Sequence, residues 1–179
     1  MRRIVVVGNS GSGKSTLASQ LAEKLDLDHI ELDSLFHQPD WTPQDSDVFR
    51  SELIERMSAA TRGWTICGNY KSVTWSLTMP AADTVAWLDL PRSVVMRRVT
   101  KRTLRRAITR QELWNGNREP LTNFYKWDPE QNIVRWSWTM HERYRERYLQ
   151  AMADGTWAHA EVHQLTSIDA ISKFLAEAA

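Results

Sequence analysis

A segment near the N-terminus has the residue types and spacing that bind phosphate. Residues 8–15 read Gly-Asn-Ser-Gly-Ser-Gly-Lys-Ser and fit the pattern G-x-x-x-x-G-K-[ST] at every fixed position. Glycines allow backbone N–H groups to turn inward around phosphate oxygens, and a helix that begins there adds a favourable dipole. The lysine of such a loop reaches the β- and γ-phosphates, and its serine hydroxyl can ligate Mg²⁺. The segment therefore predicts a site for ATP or a similar nucleoside triphosphate with Mg²⁺.

The predicted phosphate site has a defined set of contacts. An apolar run at residues 4–7 precedes it and a helical pattern follows it, which is the context that the chemistry requires. At average residue frequencies, a chain of this length shows the pattern by chance in roughly one case in a hundred or fewer. We assign Lys14 a catalytic role, Ser15 a role as Mg²⁺ ligand and Thr16 a contact with the α-phosphate. The predicted nucleotide-binding residues of the loop are Gly8, Ser10, Gly11, Ser12, Gly13, Lys14, Ser15 and Thr16.

Two aspartates follow predicted strands. Asp33 comes after the second strand and Asp89 after the fourth. Ligands of open parallel sheets sit beyond the carboxyl ends of the strands, so both carboxylates are candidates to face the nucleotide. Either can hold Mg²⁺ through water, and Asp33 can accept the proton of a hydroxyl nucleophile. The alternative for each is an ordinary helix cap or turn residue.

Arginines are concentrated after the fourth strand. Arg98, Arg102, Arg105 and Arg106 are spaced i, i+4, i+7 and i+8, so a helix places them on one face. Guanidinium groups packed together repel one another unless an anion joins them, and a triphosphate is such an anion. We therefore predict catalytic roles for Arg102 and Arg106 and nucleotide contacts for Arg98 and Arg118. The alternative is a solvated helix face.

The charge distribution is uneven along the chain. The net charge is +1, yet residues 91–148 carry 14 Lys and Arg against 6 Asp and Glu, a net of +8, and the remainder carries −7. Such a basic block is typical of a solvated helical face, of a nucleic-acid patch or of a lid over a polyanionic ligand. Composition alone does not choose among the three.

Length and composition indicate a single cytoplasmic domain. The chain has 179 residues, of which 42% are hydrophobic and 25% charged, as in ordinary globular proteins. It contains no run of some 18 or more apolar residues, and residues 4–7 are too short for a signal peptide. The single cysteine, Cys67, cannot form an intrachain disulfide, which fits a reducing compartment. We expect a cytoplasmic protein with no membrane partner.

Strand and helix patterns alternate through the sequence. Short apolar runs predict strands, and stretches of helical periodicity between them predict helices. Capping signals include Ser46 or Asp47, residues 128–131 and Ser167. The alternation predicts an α/β fold with a parallel sheet in one domain. The predicted strands span residues 4–7, 29–32, 64–67, 84–88 and 161–165, and the predicted helices 15–25, 46–60, 92–110, 128–154 and 167–175.

Nine tryptophans are many for this length. Trp136 lies at helical spacing with Met140 and Tyr144, which predicts a structural position in the core. Trp41 and Trp114 lie in predicted loops, where they can either stack on a base or anchor the loop to the core.

The chain resembles the adenylate-kinase-like P-loop kinases, and most closely the bacterial topology modulation (FlaR-like) proteins. The resemblance extends over nearly the whole chain, and its segment Leu-Trp-Asn-Gly-Asn-Arg-Glu, residues 113–119, is quite specific. It implies a three-layer P-loop fold with a five-stranded parallel sheet of order 2-3-1-4-5. It also implies an acceptor-binding insertion at about residues 34–62 and a lid at about 98–128. The segments that carry it are residues 1–25, 30–37, 68–70, 87–91 and 112–119.

One position departs from the related kinases. Nucleoside monophosphate kinases usually have Asp-Gly after the third strand, where the aspartate supports Mg²⁺ through water, and this chain has Cys67-Gly68. A thiol is a poor ligand for a hard cation that prefers oxygen. The Mg²⁺ role then falls to Asp33 or Asp89, or phosphoryl transfer is weak.

Two functions remain open from the sequence. The first is a small-molecule kinase that transfers the γ-phosphoryl of ATP to a nucleotide, nucleoside or other small acceptor, with Mg²⁺. The second is a nucleotide-switched protein whose basic segment binds a nucleic acid or a protein. The near-neutral overall charge favours the kinase. Arg50 is the one arginine that we name for an acceptor phosphate, and the protein is expected to be a monomer or a homodimer.

Overall fold

A five-stranded parallel sheet forms the centre of the molecule. The computed structural model describes residues 1–119 and 132–179. Its strands are β1 (Arg3–Gly8), β2 (Asp28–Glu31), β3 (Trp64–Cys67), β4 (Thr84–Leu88) and β5 (Glu161–Leu165). Their order is β2-β3-β1-β4-β5, and the neighbouring pairs are all parallel. The predicted three-layer α/β fold, its five strands and their order are confirmed.

Helices connect the strands and cover both faces of the sheet. They are α1 (Lys14–Leu25), α2 (Leu32–Phe36), α3 (Ser46–Ala59), α4 (Lys71–Ala81), α5 (Arg92–Thr109), α6 (Ile133–Ala153) and α7 (Ile168–Glu177). None of the helices in the described ranges is long and apolar enough to cross a membrane.

The core has two halves because the side chains of β1 alternate. Ile4 and Val6 lie in one hydrophobic cluster with Leu17 and Leu21 of α1 and with Phe174 of α7. Val5 and Val7 lie in the other, which contains side chains of α3, α4 and α6. Successive residues of a strand point to opposite faces, so the apolar run at residues 4–7 serves both halves. This burial fixes the end of β1, from which the phosphate-binding loop begins.

Several local predictions were wrong. The second strand ends at Glu31, and Asp33 lies in the short helix α2 rather than directly after a strand. The sequence reading did not predict α4, which contains Pro80 in its last turn. Asp45 caps α3, where Ser46 or Asp47 was predicted, because its carboxylate accepts from the N–H groups of residues 47 and 48.

The helix predicted at residues 92–110 is confirmed, and residues 120–128 of the predicted lid lie outside the described residues. Residues 92–109 form the single helix α5, which packs against α6. The predicted helix start at residues 128–131 lies outside the described residues, and the described part of α6 begins at Ile133 with Asn132 as its cap. The arginines of α5 are therefore held by a rigid element of the fold.

Candidate functional site

The loop between β1 and α1 has the geometry of a phosphate cradle. Gly11 and Gly13 have φ of 88° and 105°, a region that favours glycine. A Cβ on Gly11 would lie 2.9 Å from the carbonyl oxygen of Val95, so only glycine allows α5 to approach this closely. Gly13 caps α1 without a side-chain hydrogen bond, and the first turn of the helix has no acidic residue. The N–H groups there are free to bind an anion.

Polar contacts from α6 and β3 support this loop. Ser137 of α6 donates its hydroxyl to the carbonyl of Ser10 at 2.8 Å, and the amide of Asn9 donates to the carbonyl of Ser137 at 2.7 Å. Asn69, which follows β3, donates to the carbonyl of Gly8 at 2.9 Å and accepts from Tyr148 at 3.2 Å. Sequence reasoning assigned none of these supporting roles.

Lys14 lies half-buried at the centre of the site. Its Nζ donates to the carbonyl of Asn9 at 3.0 Å. Burial lowers the pKa of Lys14, and the charge of Asp33 opposes that decrease more than any other residue does. A partly desolvated ammonium group that lacks an ion pair within 4 Å in the described residues favours binding of a polyanion next to Lys14.

Ser15 contacts the cysteine that replaces the usual aspartate. The Sγ of Cys67 is 3.6 Å from the Ser15 hydroxyl and 3.5 Å from Nε2 of His29. Burial raises the pKa of Cys67 to about 12, so the thiol stays protonated. A neutral thiol does not supply the charge that an aspartate would bring to Mg²⁺. Thr16 follows Ser15 in α1 and is exposed.

Asp33 lies beside the phosphate loop. Its Oδ1 accepts a hydrogen bond from the Tyr70 hydroxyl at 2.7 Å. Its Oδ2 has no hydrogen-bond partner among the described residues. Glu31 is a second acidic residue that acts on the pKa of Lys14, and sequence reasoning did not assign it a role. Two carboxylates from the end of β2 and the start of α2 therefore approach the loop.

Asp89 has a different environment. Both of its carboxylate oxygens accept from Nε of Arg145, at 3.2 and 3.3 Å, and Oδ2 also accepts from Gln164 at 2.7 Å. Its side chain is 8% exposed. These contacts link β4, β5 and α6, so Asp89 has a structural role that the aspartate near Lys14 lacks.

The arginines of α5 lie along the phosphate loop. Arg98 donates to the carbonyl of Ser12 at 3.1 Å, and Arg102 donates to the hydroxyl of Ser10 at 3.2 Å. Burial and the charge of Arg106 lower the pKa of Arg102. The Nε–H groups of Arg102 and Arg106 are buried and have no hydrogen-bond partner among the described residues. The helical spacing thus places the predicted arginines at the loop, with donors still available.

The two remaining arginines have acidic partners. Arg106 is 3.7 Å from Glu119, whose side chain is 6% exposed, and it lies over the ring of Trp114. Arg118 is paired with Glu112 at 3.6 Å and is half exposed. Arg50 donates to the carbonyl of Val73 at 2.6 Å, so its guanidinium links α3 to α4.

Two seven-residue loops with the same backbone pattern meet beside Asp33. Loop A (residues 37–43) and loop B (residues 112–118) are each closed by an antiparallel bridge between their first and last residues. In each, the second N–H donates to the sixth carbonyl and the sixth N–H to the third carbonyl, around a 3₁₀ turn. Asp40 and Asn115 hold the same left-handed position in the middle of the two loops, with φ of 59° and 54°.

Asparagine side chains join the two loops. Asn117 of loop B accepts from the N–H of Trp41 at 2.8 Å and donates to the carbonyl of Gln38 at 2.9 Å. Asn115 donates to the carbonyl of His37 at 2.7 Å. Trp41 has φ of 58°, which is rare for a bulky residue, and the contact with Asn117 holds its backbone in that conformation. We call this pair of joined loops the clasp.

The two loop tryptophans anchor the clasp. The indole of Trp114 donates to Oε2 of Glu31 at 2.8 Å, and that of Trp41 donates to the carbonyl of Arg118 at 3.1 Å. The segments that contain Glu31, Tyr70 and loop B were among those that carry the family resemblance, which was the available signal for their importance. Their individual contacts join residues far apart in the chain and had no local pattern.

The residues present suit Mg²⁺ bound together with a nucleotide. In the described ranges, no group of three or more His, Cys, Asp and Glu side chains could hold a metal ion by itself. The oxygen donors near the loop are the Ser15 hydroxyl, Oδ2 of Asp33 and the carboxylate of Glu31. Mg²⁺ is usually held by one or two carboxylates plus phosphates and water, and this set fits that pattern.

Comparison with known families agrees with this arrangement. Residues 4–121, about two thirds of the chain, match the family model AAA_33, described as an AAA domain. The chain belongs to this AAA domain family. The match covers the phosphate loop, the two carboxylates, α5 and the clasp. A search of curated proteins by sequence found no match to this chain.

A solved structure has the same fold. The crystal structure of a gluconokinase from Sinorhizobium meliloti 1021 is similar to this AAA domain protein with a TM-score of 0.52. The sequence identity is 19%, and the alignment covers 99% of this chain and 89% of that one. A likeness at this identity demonstrates a shared fold, which confirms the predicted P-loop α/β architecture.

Proposed function

We propose that the protein is a kinase that transfers the γ-phosphoryl group of ATP to a small acceptor that carries a hydroxyl group. The observation that carries this proposal is the position of Asp33. Its carboxylate lies near Lys14, has one oxygen free of partners in the described residues, and stands at the side of the phosphate loop that the clasp covers.

The donor side of the site suits a nucleoside triphosphate with Mg²⁺. The first-turn N–H groups of α1 and the ammonium group of Lys14 bind the β- and γ-phosphates, and the Ser15 hydroxyl is a ligand for Mg²⁺. The metal, when bound, would neutralise charge on the phosphates. Asp33 and Glu31 are the carboxylates that we favour for water-mediated support of the ion, ahead of Asp89, whose oxygens are already engaged.

The acceptor side supplies a base. The free Oδ2 of Asp33 accepts the proton of the acceptor hydroxyl as its oxygen attacks the γ-phosphorus. The bond between that phosphorus and the bridging oxygen breaks, and ADP leaves with the electron pair. The charge of Lys14 interacts favourably with that of Asp33 and so favours the ionised carboxylate that a proton acceptor requires.

The arginines of α5 stabilise the charge that develops during transfer. Arg102 and Arg106 repel each other in the absence of an anion, and both have a buried Nε–H without a partner in the described residues. A phosphoryl group in transit has the negative charge that offsets this repulsion and the oxygens that accept from both Nε–H groups. Arg98, at the carbonyl of Ser12, is placed to contact the nucleotide from the same helix. Arg118 points to Glu112, so its predicted nucleotide contact requires that ion pair to open.

The clasp keeps water away from the reaction. It joins the proposed acceptor-side insertion, residues 34–62, to the proposed lid segment, residues 98–128, in one domain. Because loop B covers Glu31 and packs on His37, closure places the acceptor in a site with restricted access to solvent. The acceptor enters when the two loops separate.

The proposal is tested by measuring ATP consumption and phosphorylated product with Mg²⁺ and a panel of nucleosides, nucleoside monophosphates, polyols and sugar acids. The parent protein is compared with Asp33→Asn and with Asp40→Asn, which changes an exposed aspartate of loop A. We expect product that depends on the acceptor in the parent and in Asp40→Asn, and a loss of about 10²-fold or more in Asp33→Asn. ATP binding without any acceptor-dependent product in the parent contradicts the proposal.

A second candidate function rests on the outer face of α5. The helix has no acidic residue, and Arg97, Lys101 and Arg105 are exposed next to the apolar Leu104 and Ile108. This face favours the alternative of a nucleotide-switched protein that binds nucleic acid or a protein. Binding that falls steeply between low and moderate salt supports it, and acceptor turnover with little response to salt supports the kinase.

The finer family assignment is also a proposal. The segment at residues 113–119, which forms most of loop B, supports placement among the topology modulation (FlaR-like) proteins. That group's name implies an effect on DNA topology without a defined reaction. The cytoplasmic location and the monomeric or homodimeric state remain predictions.

A further inference from the structure

Three polar side chains form a line behind the free oxygen of Asp33. The Tyr70 hydroxyl donates to Oδ1 of Asp33 at 2.7 Å, and the same hydroxyl is 3.3 Å from Nε2 of His37. The opposite ring nitrogen of His37, Nδ1, is buried and has no hydrogen-bond partner among the described residues. The line therefore runs from the Asp33 carboxylate to His37, the first residue of loop A of the clasp.

We propose that Tyr70 and His37 are positioning residues that hold Asp33 in the orientation needed to accept the proton of the acceptor. This inference rests on the proposed function and deepens it. Tyr70 occupies Oδ1 and so directs Oδ2 toward the acceptor, while His37 fixes the direction in which the Tyr70 hydroxyl points.

The hydrogen-bond inventory determines the tautomer of His37. A tyrosine hydroxyl has one proton, and Tyr70 gives that proton to Asp33, which as a carboxylate can only accept. The contact between Tyr70 and His37 is then a hydrogen bond only if Nε2 of His37 carries a proton and donates it. For this hydrogen bond to form, neutral His37 must be the Nε2–H tautomer. No acceptor for an Nδ1–H group lies next to that nitrogen in the described residues, which agrees with this assignment.

Burial keeps both protons in place. It raises the pKa of Tyr70, as does the charge of Asp33, and it lowers the pKa of His37. At neutral pH Tyr70 is therefore a permanent donor to Asp33, and His37 is neutral. During phosphoryl transfer the acceptor proton moves to Oδ2 of Asp33, and Tyr70 and His37 keep theirs.

Aromatic packing restricts the movement of the line. The Tyr70 ring lies 4.5 Å from the ring of Phe36 and 5.3 Å from that of Phe49, measured between centroids. The His37 ring stacks at 6.0 Å with Trp114 of loop B. A base held this way stays within the narrow range of positions that proton transfer requires. Closure of the clasp and orientation of the base are thereby connected through one ring contact.

The first experiment compares Tyr70→Phe with the parent under acceptor-dependent turnover. We expect kcat to fall about ten- to hundredfold, the cost of a misplaced base, while the Kd for ATP stays within about twofold. A merely structural role would lower the unfolding temperature and ATP affinity together. Equal kcat in Tyr70→Phe and the parent, with Asp33→Asn inactive, overturns the inference and leaves the proposed function standing. No acceptor-dependent product in the parent overturns both.

Matched histidine variants test the second link. His37→Gln retains an N–H donor in the place of Nε2, whereas His37→Leu removes it and keeps a similar size. We expect His37→Gln to retain most of kcat and His37→Leu to lose about as much as Tyr70→Phe. His159→Gln, at an exposed histidine bonded to the carbonyl of Met79, is the control for substitution itself. Equal activity of the Gln and Leu variants contradicts the role of His37.

A measurement independent of activity reads the tautomer directly. Protein labelled with ¹⁵N in histidine gives ring signals that distinguish the two neutral tautomers, and His37→Gln identifies the signal of His37. We expect the Nε2–H form at neutral pH in the parent and a changed Nε2 environment in Tyr70→Phe. Detection of the Nδ1–H form, or of a His37 signal that does not respond to Tyr70→Phe, overturns the hydrogen-bonded line.

Discussion

The phosphate loop and the clasp lie on opposite sides of the proposed reaction and are specified in different ways. The loop is one continuous segment whose glycines, lysine and helix start determine its shape locally. The clasp joins residues 37–43 to residues 112–118 through side-chain hydrogen bonds of Asn115 and Asn117. A local motif identifies the donor site, whereas the acceptor site depends on contacts between distant segments. Under the proposed function, we expect the loop to bind the triphosphate and the clasp to determine which acceptor is accepted.

Lys14→Ala breaks the donor side and has the largest expected effect. A cation about 4 Å from a phosphate is worth on the order of 4 kcal/mol at an effective dielectric near 20, which is close to a thousandfold in rate. We expect ATP affinity and acceptor turnover to fall together, measured by titration calorimetry and by steady-state kinetics. Lys101→Ala, at an exposed lysine of α5, should behave like the parent. A Lys14→Ala protein with the parent's ATP affinity and rate is incompatible with the phosphate site.

Arg102→Ala affects phosphoryl transfer itself, which takes place between the donor side and the acceptor side. Removing one preorganised donor to a developing charge costs about 10² to 10³ in kcat. Because the N–H groups of α1 and Lys14 remain, we expect the Kd for ATP to change much less than kcat. Arg106→Ala is expected to act in the same direction, and Arg97→Ala, at an exposed arginine of the same helix, is the matched control. If Arg102→Ala and Arg106→Ala both have the kcat of the parent, these arginines have no role in transfer and are structural.

Asn117→Ala opens the clasp and has a smaller expected effect on the acceptor side alone. It removes three hydrogen bonds, from the N–H of Trp41 and to the carbonyls of Gln38 and Trp114. At about 1 kcal/mol each, their loss shifts the loops toward the open state. We expect the KM for the acceptor to rise about tenfold and ATP hydrolysis without acceptor to increase, with the Kd for ATP unchanged.

The control for the clasp is Asp40→Asn in loop A. The Asp40 side chain is exposed and has no hydrogen bond to a described residue, and asparagine tolerates its left-handed backbone. If Asn117→Ala raises the Kd for ATP as much as the KM for the acceptor, the clasp belongs to the donor side and the comparison fails.

The sequence predicted the features that are specified locally and missed those that depend on contacts between distant residues. The run at residues 4–7, the glycine pattern and the i, i+4 arginine spacing are local signals, and the structure places Lys14, Ser15, Arg98 and Arg102 together as expected. The sheet order was correct because a family resemblance supplied it. Asp89 follows a strand just as the pattern requires, yet Arg145 and Gln164, distant in sequence, occupy its oxygens. Periodicity contains no information about such partners.

The acceptor side illustrates the limit more sharply. Tyr70 reaches Asp33 across 37 residues, and Trp114 reaches Glu31 across 83. Neither pair has a characteristic spacing, because the distance along the chain depends on the intervening elements rather than on the contact. The helix α2 was missed since five residues are too few to show periodicity. Only the fold brings these residues together.

The smallest expected effect concerns the histidines that lie next to the two carboxylates. Burial lowers the pKa of both His29, beside Cys67 and Glu31, and His37, beside Tyr70 and Asp33, relative to the ordinary value of 6.5. The unfolded chain therefore binds more protons than the folded chain between the lowered values and 6.5. The stability that neutral histidines contribute is complete above pH 6.5 and is lost as the pH falls through that window.

Thermal unfolding between pH 5 and pH 8 measures this contribution. We expect the unfolding temperature of the parent to fall on acidification below about pH 6.5, and the double variant His29→Gln/His37→Gln to show a shallower decrease. Thr100→Ala, at an exposed position of α5, controls for substitution without a titrating group. Because ATP contacts neither histidine in the proposed arrangement, saturating ATP should raise the curve of the parent without changing its slope. A parent curve that is flat across this range, or one that the double variant reproduces, would show that these histidines are open to water, and the enclosed acceptor side on which the role of the clasp depends would no longer hold.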